Sequence, residues 1–203
     1  MVFDNAGGGV TFIDPKSGQK VGAISTPGAL ESAATDGTGK VFVNVEDLNE
    51  IVILDAKSKS VVGHYPLKGC DAPTGIARAP KEKLLVSICA NHLAIVVSTT
   101  DGKMVASLPI GGRPDWAGYD AKTQLILVPT GEDGVINLIS TEAGKKPHLA
   151  GTVTGHIGSR SGAFDPTKGA FYLPSADFIP STTGGRPSPI AGTFKVLVYQ
   201  ASH

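Results

Sequence analysis

The sequence predicts an all-β chain of repeated four-stranded units, on three grounds: a period of 41–45 residues, apolar runs of strand length, and turns rich in glycine and proline. Val10-Thr11-Phe12-Ile13-Asp14 followed by Lys16-Ser17-Gly18 recurs as Ile51-Val52-Ile53-Leu54-Asp55 followed by Lys57-Ser58-Lys59. It returns at Ile95-Val96-Val97-Ser98 with Thr100-Asp101-Gly102, and at Val135–Ser140 with Glu142-Ala143-Gly144. Asp14, Asp55, Ser98 and Ser140 are 41, 43 and 42 residues apart. A second set of anchors, beginning at Lys40, Lys83, Gln124 and Gly169, is spaced 43, 41 and 45 residues. Two independent sets in one period make a structural repeat.

Within each period four strands of 4–7 residues fit. In one unit these are strand A near Gly75–Ala79, B near Lys83–Cys89, C near Leu93–Ser98 and D near Lys103–Pro109. Val61, Gly63 and Tyr65 alternate with Val62 and His64, as a pleated strand with two faces requires. Gly28–Gly37 reads as the longest non-strand stretch and has no helical period. A four-stranded unit of this length is a β-propeller blade. The units are about 1–27 (partial), 28–68, 69–111, 112–155 and 156–203 (partial), giving three complete blades with a partial blade at each end. In the first, Val2-Phe3 aligns with Val41-Phe42 of strand B; the last has A near Ser161–Asp165, B near Gly169–Pro174 and C at Thr193–Tyr199. A seven-bladed ring of this period needs roughly 290–300 residues. The chain is therefore expected to be a single partial propeller domain, the C-terminal portion of a larger ring; the alternative is an arc that self-associates to close one.

Composition limits the function classes. With 203 residues there is enough chain for a sizeable core, and 26 glycines fit a turn-rich fold. No apolar run approaches the ~18–20 residues of a membrane span. Eighteen Lys+Arg balance eighteen Asp+Glu, so net charge offers no general attraction to nucleic acid or anionic lipid, although a local basic patch would escape that sum. Met1–Ala6 has neither a basic segment nor an apolar run, and no signal peptide is read in this chain.

The residues resemble the YVTN-type β-propeller repeat family, in particular bacterial extracytoplasmic YncE-like proteins. The likeness rests on Val41-Phe42-Val43-Asn44, Ile51–Asp55, Lys57–Lys59, Val61–Pro66 and Gly69-Cys70-Asp71-Ala72-Pro73, with another copy at Pro109–Asp115. Ser98 and Ser140 stand where the family has Asp, and the literal tetrapeptide is absent. The resemblance implies the propeller fold and covers essentially the whole chain. It implies several activities: binding scaffolds, surface-layer modules, lactonase-like enzymes, and the heavy chain of quinoprotein amine dehydrogenases, whose cofactor belongs to another subunit.

Cys70 precedes strand A and Cys89 ends strand B, so an A–B hairpin turning at Pro80–Glu82 brings both to one rim. A disulfide, a pair of buried thiols and a metal or redox pair all remain open, with the bridge favoured by this geometry. A bridge would place the protein in an oxidising compartment, periplasmic or secreted.

Loops before strand A and after strand B emerge on one face around the channel mouth. The ligand-binding candidates there are Asp71, His92, Arg113, Asp115, Trp116, His156 and Arg160. The same face gathers Glu31, Ser32, Glu46, Asp47, Glu132, Asp133 and Asp177. For each, the alternative is a solvated rim or, for Trp116, packing on the neighbouring blade. Gly158-Ser159-Arg160-Ser161-Gly162 is a poor nucleophile elbow, with Arg at its centre and no helix to follow. His92 or His156 could join Asp71 or Asp115 in an acid–base or metal site, whereas His64 reads as a strand-surface residue and His203 as a frayed end. Ser175–Gly192 reads as an irregular rim loop, either a lid or docking segment or a tolerated extension. The expected function is a non-catalytic extracytoplasmic scaffold that binds a protein partner or small polar ligand through this face. No cofactor, metal, nucleic acid or membrane span is expected. The alternative is a lactonase-like or quinoprotein amine dehydrogenase-like enzyme or subunit.

Overall fold

The computed structural model describes residues 1–180 and 187–200. Strands β1 (Val2–Asp4), β2 (Gly9–Ile13) and β3 (Lys20–Ile24) form a three-stranded sheet. Three four-stranded sheets follow: β4 (Leu30–Thr35) to β7 (Ser60–Pro66), through β5 (Lys40–Val45) and β6 (Glu50–Asp55); then β8 (Pro73–Ala79), β9 (Leu84–Cys89), β10 (Leu93–Ser98) and β11 (Met104–Pro109); then β12 (Gly118–Asp120), β13 (Leu125–Thr130), β14 (Val135–Ser140) and β15 (His148–Thr154). The fifth sheet holds β16 (Ala163–Asp165), β17 (Ala170–Ser175) and β20 (Lys195–Gln200). Every pairing is antiparallel between sheet neighbours. The first strands of consecutive sheets, β4, β8, β12 and β16, lie side by side as the innermost layer. The chain is an all-β propeller.

Packing explains the strand sequences. Val41, Val43, Val45, Val52 and Leu54 of the second sheet pack against Val10, Phe12 and Ile24 of the first. The alternate residues Phe42, Ile51 and Ile53 pack instead against Ile76, Leu85 and Ile95 of the third. A strand buried on both faces must be apolar at nearly every position, and β6 reads Glu-Ile-Val-Ile-Leu-Asp for that reason. The outermost β7 has one solvent face, and there exposed and half-buried residues alternate. The outermost strand slips register against its neighbour at one repeat position: Phe12/Ile13, Ile53/Leu54, Val96/Val97 and Leu138/Ile139.

The bridge forms: Cys70 and Cys89 are disulfide-bonded, their Cα atoms 5.5 Å apart. Two expectations change. Gly28–Gly37 contains strand β4, whose alternation was masked by the small residues Ser32, Ala33 and Ala34. Ser175–Gly192 is not wholly irregular, because β18 (Phe178–Ile179) pairs with β19 (Ser188–Pro189) in a small hairpin. Residues 181–186 of that insertion and His203 lie outside the described residues. Among the described residues the helical content is one 3-10 turn, Glu46–Leu48, and no helix is long and apolar enough to cross a membrane.

Candidate functional site

Two neighbouring repeats build a cleft on the loop-rich end. The loop before β12 supplies Arg113, the β13–β14 turn supplies Gly131 and Glu132, and the loop before β16 supplies Ile157, Gly158 and Arg160. Phe178 and Pro187 of the insertion form the remaining wall around a volume of about 410 Å³. Arg113 has φ 54°, a left-handed turn conformation that must be held by its surroundings. The clamp is visible: Gly112 N–H donates to Asp133 Oδ2 at 2.5 Å, and Glu132 and Gly131 N–H donate to the Gly112 and Arg113 carbonyls. A Cβ at Gly112 would run into the Glu132 carboxylate and the His92 ring, so only glycine leaves both in place.

The anticipated residues are thereby distributed. Arg113 and Arg160 face one cleft. Asp115 lies behind it, accepting from Ser161 Oγ at 3.0 Å, with Arg160 Nε 3.8 Å from Asp115 Oδ2. His92 flanks the cleft through Gly112, on an exposed left-handed turn with φ 64°. His156 meets neither Asp71 nor Asp115. Its Nε2 is 3.0 Å from Asp177 Oδ1, and its Nδ1 donates to the Ile157 carbonyl at 2.9 Å. Trp116 is half-buried and stacked on Phe171, ring centroids 5.2 Å apart, within the core between the last two sheets. Asp71 sits apart beside the disulfide, its N–H donating to Asn91 Oδ1 at 3.1 Å.

Ser159 Oγ donates to Ser175 Oγ in a buried pair, while its N–H donates to the His156 carbonyl. Among the described residues no three His, Cys, Asp or Glu side chains gather as a metal-binding group. On β4, Glu31 accepts from Asn5 Nδ2 at 2.7 Å. Burial pushes its carboxyl up, and the nearby Glu46 and Asp115 carboxylates push it further. Sequence reasoning missed Phe178 and Pro187 as wall residues, and Asp133 as the clamp on Gly112. The pairing of Asp133 is invisible in sequence because its partner lies 21 residues away across a turn.

No protein-family model and no curated protein matches the chain. Among solved structures it is similar to hydrazine synthase of Kuenenia stuttgartiensis, with a TM-score of 0.76 at 15% sequence identity. The match covers 98% of this chain and spans 58% of the other. At that identity the likeness is one of fold, and the fold that both share is the β-propeller.

Proposed function

We propose that the chain is a non-catalytic binding scaffold that takes a small polar ligand with an acidic group into the cleft between the last two sheets. One observation carries the reading: Arg113 and Arg160, from two repeats, converge on a cleft whose other walls include the apolar Ile157, Phe178 and Pro187. Guanidinium groups suit a carboxylate or phosphate, and the apolar wall suits the rest of such a ligand. Ile157, Phe178, Ile179 and Ile190 are exposed at this rim, which favours binding over a dry catalytic pocket. Among the described residues no side-chain hydroxyl is hydrogen-bonded to an imidazole, so the enzyme alternative has no such support.

The wider setting belongs to the same proposal. The disulfide is compatible with a periplasmic or secreted protein. The YVTN-type relationship rests on the residue pattern alone, as does a seven-bladed ring completed by further blades or by self-association.

Benzoate is a suitable first probe, followed by saturation-transfer NMR. The wild-type chain should give a signal that Arg113→Ala and Arg160→Ala each reduce at least about tenfold, by loss of a charge-assisted hydrogen bond. Equal signals from wild type and both variants, or none at all, would reject this ligand class.

A further inference from the structure

The zero net charge conceals a strong division between the two ends of the molecule. In each four-stranded sheet the first-to-second and third-to-fourth strand turns emerge at one end, and the remaining loops at the other; the β2–β3 and β16–β17 turns of the two three-stranded sheets share that first end. Twelve of the fourteen lysines lie in or beside the first kind of turn, Lys68 and Lys195 being the exceptions. That end carries eight of the eighteen carboxylates; the cleft end carries the other ten, with Lys68, Lys195, Arg113 and Arg160 as its described cations. A chain neutral in sum is thus basic at one end and acidic at the other.

Local geometry accentuates the basic end. Its aspartates fold back on their own turns: Asp55 Oδ1 accepts from Lys57 and Ser58 N–H at 2.8 Å, and Asp120 Oδ1 from Lys122 N–H at 2.9 Å. Asp165 does the same with Thr167 and Lys168. The lysines between them are exposed. Described ion pairs at this end engage only Lys103, with Asp101, and Lys145, with Glu142. Of the large exposed apolar side chains Ile13, Val21 and Met104 border these turns and none lies within them, whereas Leu48, Ile157, Ile190 and Phe194 are all on loops of the opposite end.

From this division we infer that the lysine-bearing end docks on an anionic phospholipid surface, leaving the acidic, cleft-bearing end facing solution. The charges are ammonium groups spread over turns of all five sheets, which fits a diffuse planar array of headgroups. These turns contain no arginine fork and no aromatic side chain, the groups that grip and stack on a nucleic acid strand. No large apolar side chain projects from within the turns themselves, so the contact is peripheral and sensitive to salt.

The test is co-sedimentation of the full chain with phosphatidylcholine vesicles containing about 30% phosphatidylglycerol, at low and high salt. Binding is expected at low salt, lost at high salt, and absent with pure phosphatidylcholine. Lys81→Glu/Lys122→Glu should weaken it at least about tenfold, while Lys68→Glu/Lys195→Glu, with the same change in net charge, should change it by less than about twofold. Circular dichroism confirms that both variants are folded, and exposed turn replacements of lysine elsewhere at the basic end substitute for any that is not. Equal loss in both pairs, or no vesicle binding by wild type, would overturn the inference. So would salt-sensitive binding to a single-stranded oligonucleotide without binding to the vesicles.

Discussion

Ser87 Oγ donates to Asn44 Oδ1 at 2.8 Å, and the two residues occupy the same position of consecutive repeats, both with no exposed surface. The Asn44 amide then donates to the Thr74 and Gly75 carbonyls of β8 at 2.9 and 3.0 Å. Thr74 Oγ1 in turn donates to the Pro114 carbonyl at 3.2 Å, carrying the linkage to a third repeat. Apolar faces alone would let neighbouring sheets slide; these buried polar groups fix their relative height.

Asn44→Ala should therefore cost about 3 kcal/mol of unfolding free energy, because it strands two carbonyls and a hydroxyl in the core. Ser87→Ala should cost about 1 kcal/mol. Denaturant titration of both single variants and the double variant should show coupling of about 1 kcal/mol. Strict additivity would mean that the contact contributes nothing to the register of the sheets.

Reduction should be felt beyond the hairpin that the disulfide closes. Cys70 and Cys89 enclose a separation of 19 residues, for which chain entropy predicts about 3 kcal/mol of stabilisation. Replacing both by serine, or adding reductant, should lower the denaturant midpoint accordingly. Both sulfurs contact the core between the second and third sheets, so protection should fall in hydrogen exchange of β6 and β9 as well.

Glu31 should make stability fall as pH rises. Its carboxyl is held above the usual Glu value of 4.5, so the folded state keeps that proton more tightly than the unfolded chain does. The penalty is absent below pH 4.5, grows as pH rises through the folded value, and is constant above it. Glu31→Gln should accordingly stabilise the protein at pH 7 and leave it nearly unchanged at pH 4, while still accepting from Asn5. Asp14, Asp55 and Asp101 act in the opposite sense. Turn hydrogen bonds hold Asp14 and Asp55 below 3.8, and the Lys103 ammonium holds Asp101 there, so their contribution is lost as pH falls below that value.

Within the cleft, Glu132 opposes an acidic ligand. Glu132→Gln removes one negative charge beside Arg113 and Arg160 and should raise benzoate affinity about threefold. The same substitution should leave thermal stability within about 0.5 kcal/mol, since Glu132 is exposed. A decrease in affinity would mean that Glu132 itself contacts the ligand as an acceptor.

Much of the architecture was legible because repetition averages out local ambiguity. Leu93–Ser98 was read at its observed limits, and the Cys70–Cys89 pairing follows from two strands meeting at a rim. The small residues of β4 hid one strand, since Ser32, Ala33 and Ala34 give no hydropathy alternation. Contacts across the long insertion were also hidden: nothing in the order of residues announces that His156 would meet Asp177 rather than Asp71 or Asp115. A net charge is a sum without positions, so the division of lysines from carboxylates emerged only once the turns had been assigned to ends.

The recurrent slip between the outermost strand and its neighbour bears on self-templating. In four sheets it leaves one surplus residue on the outermost strand, Val21, Val62, Val105 or Ala150. Each such strand is a free sheet border carrying β-branched or apolar residues, the usual starting point for fibril growth. A surplus residue bends that border and breaks its hydrogen-bond ladder midway, so an incoming strand cannot match it along its length. Material lost on heating should consequently precipitate as amorphous aggregate that does not bind amyloid dyes, despite a chain composed almost wholly of β-strands and turns.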